Sequence, residues 1–230
     1  STGATRTNYT VLSGLGEVNL TGALTNIGGT FDHQGQVAVD FTGASGEASA
    51  FANLTSMTLN AQRTLTLKSG TLLPSLTSLV KTSSGTADLA DASVSGLTTF
   101  TLTSGTLTGT GNLALASGGT HSYTAGTLSG AGNLTVNSGA TLAISTAGNK
   151  SLDRPLVNNG TVTFADDPLP GTGSIQNNGL FQILNDFSIT PSFTNASGAR
   201  VEKTGGAGTS AVSGSATFSN DGTVNANSGT

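Results

Sequence analysis

Gly105-Thr-Leu-Thr-Gly-Thr-Gly-Asn-Leu-Ala-Leu-Ala-Ser-Gly118 is followed, 21 residues on and without a gap, by Gly126-Thr-Leu-Ser-Gly-Ala-Gly-Asn-Leu-Thr-Val-Asn-Ser-Gly139. The glycines fall in register, as do Asn112 with Asn133 and Leu113 with Leu134. A period in the low twenties is the length of one coil of a β-solenoid, where each repeat buries its apolar face only against its neighbours. The pair predicts a stack of coils.

The same metre recurs outward from it. Leu54-Thr-Ser-Met-Thr-Leu59, Leu76-Thr-Ser-Leu-Val-Lys81 and Leu97-Thr-Thr-Phe-Thr-Leu102 start 22 and 21 residues apart. Read as one strand per coil, a step of 21 lays Phe100 over His121 and Leu142, and Leu102 over Tyr123 and Ile144. In Asn133-Leu-Thr-Val-Asn137 and Thr141-Leu-Ala-Ile-Ser145, apolar residues alternate with hydroxyl and amide residues, the period of a strand with one dry face. Past Leu152, Asn158-Asn-Gly160, Asn177-Asn-Gly179, Asn195-Ala-Ser-Gly198 and Asn220-Asp-Gly222 follow at spacings of 19, 18 and 25. Before residue 50 only Gln36-Val-Ala-Val-Asp-Phe41 alternates cleanly.

The expected fold is therefore all-β, a parallel β-helix of 18–22 residues per coil over residues 11–230, preceded by an arm or cap at residues 1–10. Asn-Gly is also the strongest two-residue hairpin signal, so the alternative is an antiparallel β-sandwich. The last residues stop in mid-pattern, which predicts a segment of a longer chain.

Composition narrows the function classes. Charged residues are 9% of the chain, against roughly 25% in an ordinary domain, which leaves water contact to hydroxyls and amides. The absence of cysteine excludes a disulfide framework, a thiolate zinc site and a cysteine nucleophile. No apolar run reaches the roughly 18 residues of a membrane helix. Eight scattered Lys and Arg against twelve Asp and Glu give no footprint for nucleic acid.

Few residues are candidates for chemistry. His33, beside Asp32 in a glycine-rich stretch, reads as a surface loop residue, and His121, in register with Phe100 and Leu142, as an inward or corner residue. A single imidazole makes neither a zinc site nor a triad. Aligning Asn158-Asn-Gly160 on Asn177-Asn-Gly179 lays Asp166-Asp167 over Asn185-Asp186, so that Asp167 and Asp186 stack about 4.8 Å apart. Such a pair matches the two catalytic carboxylates of a glycosidase, or, with Asp166, a site for a hard cation such as Ca²⁺. Asp153-Arg154 supplies the basic group nearby. Asp167 before Pro168-Leu-Pro170 also reads as an ordinary turn.

Gly109-Thr-Gly111 and Gly130-Ala-Gly132 lack the Lys-Ser/Thr and the helix of a phosphate loop. Thr98, Thr99, Thr101, Thr103, Thr106 and Thr108 crowd one region, and an ordered threonine ladder is the surface of an ice-binding solenoid. No cofactor or metal is expected on the leading reading.

Residues 126–142 and Phe218-Ser-Asn-Asp-Gly-Thr-Val-Asn-Ala-Asn-Ser-Gly-Thr230 resemble the degenerate β-helix repeats of large bacterial surface proteins. These are the autotransporter passengers and filamentous-haemagglutinin-like adhesins, and the resemblance covers residues 54–230. It implies an extracellular or cell-surface location and a non-enzymatic role in an adhesin, stalk or filament, with glycans or other surface proteins as partners. It marks no functional residue within the repeats. Open coil ends further imply end-to-end self-association, with residues 1–10 as the donor strand. The alternative is a carbohydrate-active β-helix enzyme, a polysaccharide lyase or glycosidase, centred on Asp167 and Asp186.

Overall fold

A coil of 21 residues holds about 70 Å of extended chain, which stacks in register only if it turns back over itself. The computed structural model describes residues 6–12, 18–21, 24–33, 37–40, 53–59, 65–67, 69–145, 148–165 and 168–229, and among them the chain is strand and turn throughout. In chain order the strands are β1 (Arg6–Leu12), β2 (Val18–Thr21), β3 (Leu24–His33), β4 (Val37–Asp40), β5 (Asn53–Leu59), β6 (Leu65–Thr66), β7 (Ser78–Lys81), β8 (Thr86–Asp88) and β9 (Val94–Leu102). They continue as β10 (Thr106–Thr108), β11 (Leu113–Tyr123), β12 (Gly126–Ser129), β13 (Leu134–Val136), β14 (Thr141–Ile144), β15 (Lys150–Asp153), β16 (Leu156–Asn158) and β17 (Thr161–Phe164). The last eight are β18 (Ser174–Asn177), β19 (Leu180–Ile183), β20 (Ser188–Ile189), β21 (Ser192–Asn195), β22 (Arg200–Lys203), β23 (Ala211–Val212), β24 (Phe218–Asn220) and β25 (Thr223–Ala226).

Every pairing among these strands is parallel. The fold is a parallel β-solenoid, and the antiparallel sandwich is ruled out. The predicted stacking holds residue for residue: His121 pairs with Phe100 and Leu142, and Tyr123 with Leu102 and Ile144. The expectation of one strand per coil is corrected. Each full coil lays strand on three faces.

The first face runs through β13, β16, β18, β21 and β24, the second through β14, β17, β19, β22 and β25. In the earlier coils a single long strand, such as β9 or β11, serves both. The third face is β2-β4-β6-β8-β10-β12-β15, continued by a bridge from Leu169 to Ile189 and by β20 and β23. Residues 6–10, expected in an arm or cap, lie in β1, which pairs with β3. His33, expected in a loop, is the last residue of β3, opposite Leu59.

Inward side chains form columns down the axis. One is Val94-Leu113-Leu134-Leu156-Ile175-Phe193-Phe218, another Met57-Leu79-Phe100-His121-Leu142-Val162-Phe181-Val201-Val224. Each buried aliphatic or aromatic side chain contributes about 1.5–3 kcal/mol by leaving water. In the later coils phenylalanines fill the interior, Phe181 meeting Phe193 edge-on at 5.0 Å and Phe164 packing on Phe187 at 5.3 Å.

Where the first face meets the third, the Gly-x-Gly corners stack. Gly130 has φ +98°, and a Cβ on Gly132 would run into the carbonyl oxygen of Gly111 one coil below. The motif that suggested a phosphate loop is a corner at which only glycine fits.

Candidate functional site

Sequence reading places hydroxyl and amide residues outside and expects only His121 inward or at a corner, yet several polar residues are buried: Thr71, Lys81, His121, Lys150, Arg154, Asn158, Asn177, Asn195 and Lys203. A buried polar group is costly unless bonded, so the partners of these side chains say what they do.

Arg154 is 1% exposed. Its coil is shortened at the corner: where Gly130-Ala-Gly-Asn133 links β12 to β13, only Arg154-Pro155 links β15 to β16. The guanidinium reaches back along the axis, Nε donating to the carbonyl of Gly132 at 2.7 Å and Nη2 to that of Gly111 at 2.9 Å. One side chain thus ties three coils together. Burial pushes its pKa down to about 10, still protonated at neutral pH. Its neighbour Asp153 is partly exposed and accepts from the Thr172 N–H and hydroxyl and from the Ser151 hydroxyl. Burial opposes its charge, but these donors hold its carboxyl below the usual carboxylate range.

The asparagines that recur past Leu152 form a ladder at the turn from the first face to the second. Asn158 Nδ2 donates to Asn177 Oδ1 at 2.7 Å, Asn177 Nδ2 to Asn195 Oδ1 at 2.8 Å, and Asn195 Nδ2 to Asn220 Oδ1 at 2.7 Å. The same Nδ2 groups also donate to the carbonyls of Leu180, Arg200 and Thr223 on the following coil. Asn158, Asn177 and Asn195 are fully buried. Sequence reading found the spacing but gave these residues no buried role.

The buried lysines bond to backbone at the coil turns. Lys81 donates to the Ser83 carbonyl, and burial pushes its pKa down to about 8. Lys150 Nζ donates to the carbonyls of Thr124 and Gly148 at 2.9 and 3.0 Å. Tyr123 places its hydroxyl 2.8 Å from the carbonyls of Gly126 and Ser151 and accepts from the Ser151 N–H. Burial raises the pKa of this phenol. His121 is inward, as its register predicts, with Nε2 2.9 Å from the Ala116 carbonyl and Nδ1 buried without a partner.

The expected carboxylate pair is placed only in part. Asp166 and Asp167 lie outside the described residues. Asp186 accepts from Lys203 Nζ at 2.8 Å and from the Gly208 N–H at 2.9 and 3.0 Å. The hydrogen bond from Lys203 and that backbone donor hold its carboxyl below the usual range, against the effect of burial. Arg154, the expected basic neighbour, faces inward and is used up by the two glycine carbonyls. Among the described residues no group of three or more His, Asp or Glu converges as a metal site.

The crowded threonines are divided among surfaces. Thr99 and Thr101 stand on the second face and Thr106 and Thr108 on the third. The Thr98 and Thr103 hydroxyls donate to the carbonyls of Thr77 and Lys81 one coil back. The second face carries Ser78, Thr99, Thr120, Thr141 and Thr161 at equivalent positions on successive coils, and the third carries Thr86, Thr106, Thr127 and Ser151. A cavity of about 320 Å³ is lined by Phe187, Val201, Val212, Phe218 and Val224 among others.

No helix among the described residues is long and apolar enough to cross a membrane. No family model matches the sequence, and no curated protein or solved structure is detectably similar to it.

Proposed function

We propose that the chain is a non-enzymatic structural and adhesive β-solenoid of the cell surface, part of a bacterial adhesin, stalk or filament. The observation that carries the reading is the use made of the buried polar groups. Arg154 and the asparagine ladder bond from one coil to the next, so pulling along the axis works against charged and amide hydrogen bonds as well as apolar contact. The hydroxyl columns on the second and third faces offer weak, repeated bonds to glycans or to other surface proteins. The extracellular setting rests on the resemblance of the repeats.

A second reading draws on the same columns, since regularly spaced hydroxyls on rigid strands also suit an ice surface. One comparison separates the classes. The protein is assayed for binding to a glycan array, for inhibition of ice recrystallisation, and for turnover of acidic and neutral polysaccharides, alone and as the Asp167→Asn/Asp186→Asn double variant. The adhesive reading expects glycan or protein binding, no turnover, and no change in the double variant. Turnover that the double variant abolishes would replace it with a carbohydrate-active enzyme.

A further inference from the structure

The second face changes character along the axis. Its outward positions fall in files, about 4.8 Å apart from coil to coil and roughly 6.7 Å apart along each strand. One file reads Ser56, Ser78, Thr99, Thr120, Thr141 and Thr161, and the next Thr58, Val80, Thr101, Ser122, Ala143 and Thr163. Thr103, Thr124 and Ser145 extend a third at the strand ends, each donating its N–H to the preceding coil. The register across these positions is unbroken, and none of them is charged or aromatic. On the later coils the first two files continue as Leu180 and Arg200, and as Gln182 and Glu202. The other faces are less uniform. The third carries Asp88 and Asp153 among its hydroxyls, and the first has register shifts and a mixed outward file of Ala114, Thr135, Val157 and Gln176.

A flat face of hydroxyls holds a dissolved ligand weakly. Each bond to a sugar replaces one to water, leaving about 0.5–1.5 kcal/mol, and in this tract no ring stacks on the sugar and no charge meets an acidic one. A rigid lattice alters that balance, because one ligand meets every coil at once and its weak bonds add. Threonine suits such a partner. Its branched side chain is stiff at χ1, so the sheet sets hydroxyls and methyls in place before contact and little ordering remains to be done. Ice, a lattice built wholly of neutral donors and acceptors, requires neither a charge nor a stacking ring.

We propose that the tract from Ser56 to Thr163 on the second face binds the surface of an ice crystal. The assignment rests on the second of the two readings above and confines it to one face.

The test is adsorption of the full chain to ice, read as its enrichment in a slowly grown ice fraction and as inhibition of recrystallisation. Thr120 and Thr141 are exposed, so Thr120→Lys/Thr141→Lys puts bulk and charge in the middle of the tract and leaves the core untouched. Thr106→Lys/Thr127→Lys does the same on the third face. Unchanged thermal unfolding checks both pairs, and Thr161→Lys supplies a separate second-face variant. The second-face variants should weaken adsorption, by about tenfold or more for the pair, and the third-face pair should leave it unchanged. Adsorption kept by the second-face variants and lost by the third-face pair overturns the assignment while the ice reading stands. No adsorption by the parent chain overturns both, and glycan-array binding that the second-face pair abolishes then assigns the tract to a sugar.

Discussion

Arg154 carries the clearest single-residue consequence of the fold. Replacing it with leucine leaves the carbonyls of Gly132 and Gly111 buried and unpaired, and such losses run to about 1–3 kcal/mol per group. Arg154→Leu should lower stability by about 2–4 kcal/mol in urea titrations, and Arg154→Lys, with one point of contact in place of a fork, should recover only part. Lys81 makes the opposite kind of statement. Its folded pKa, pushed down to about 8, lies below the ordinary lysine value of about 10.4. The unfolded chain therefore binds more protons between those values, and stability rises as pH goes from 8 to 10. Lys81→Met should flatten that rise, which thermal melts across the range would detect. Asp186 and Asp153 act at the acid end: their depressed pKa values give stability that is present above pH 4 and lost below it.

Among the elements, the corners and the asparagine ladder are the sensitive parts. A methyl on Gly132 meets the Gly111 carbonyl, whereas a methyl on Gly96 meets nothing within 4 Å. Gly132→Ala should destabilise the protein by about 2 kcal/mol or more, and Gly96→Ala should stay within about 0.5 kcal/mol. The ladder has a similar internal contrast. Asn177→Leu interrupts it in the middle and strands Asn158 Nδ2 and Asn195 Oδ1 in the core, at about 2–3 kcal/mol. Asn220→Leu removes one acceptor from the buried Asn195 Nδ2, which keeps its bond to the Thr223 carbonyl, and should cost less, about 1 kcal/mol.

For the whole molecule, stability is a sum over coils and their shared interfaces, each coil touching only its neighbours. Pulling single molecules from their ends should therefore release chain in steps that are multiples of one coil, about 21 residues where Leu113 stacks on Leu134. The coils tied by Arg154 should part last. A single release of the full contour length, with no intermediate steps, would contradict this picture of a one-dimensional stack.

How much of this was legible in the text depends on distance along the chain. The repeat of residues 105–118 at 126–139 determined the fold class, the parallel stacking and even the pairs Phe100–His121 and Leu102–Tyr123. One coil of near-constant length maps sequence separation directly onto height along the axis. The same period located Asn158, Asn177, Asn195 and Asn220 in register. It did not say that they face inward, because an asparagine at a turn and an asparagine in a buried ladder have the same spelling. Three faces per coil, the two-residue corner at Arg154 and its reach across three coils were settled only in the tertiary structure. They depend on where the chain bends and on which carbonyls those bends leave unpaired, and neither is encoded by period alone.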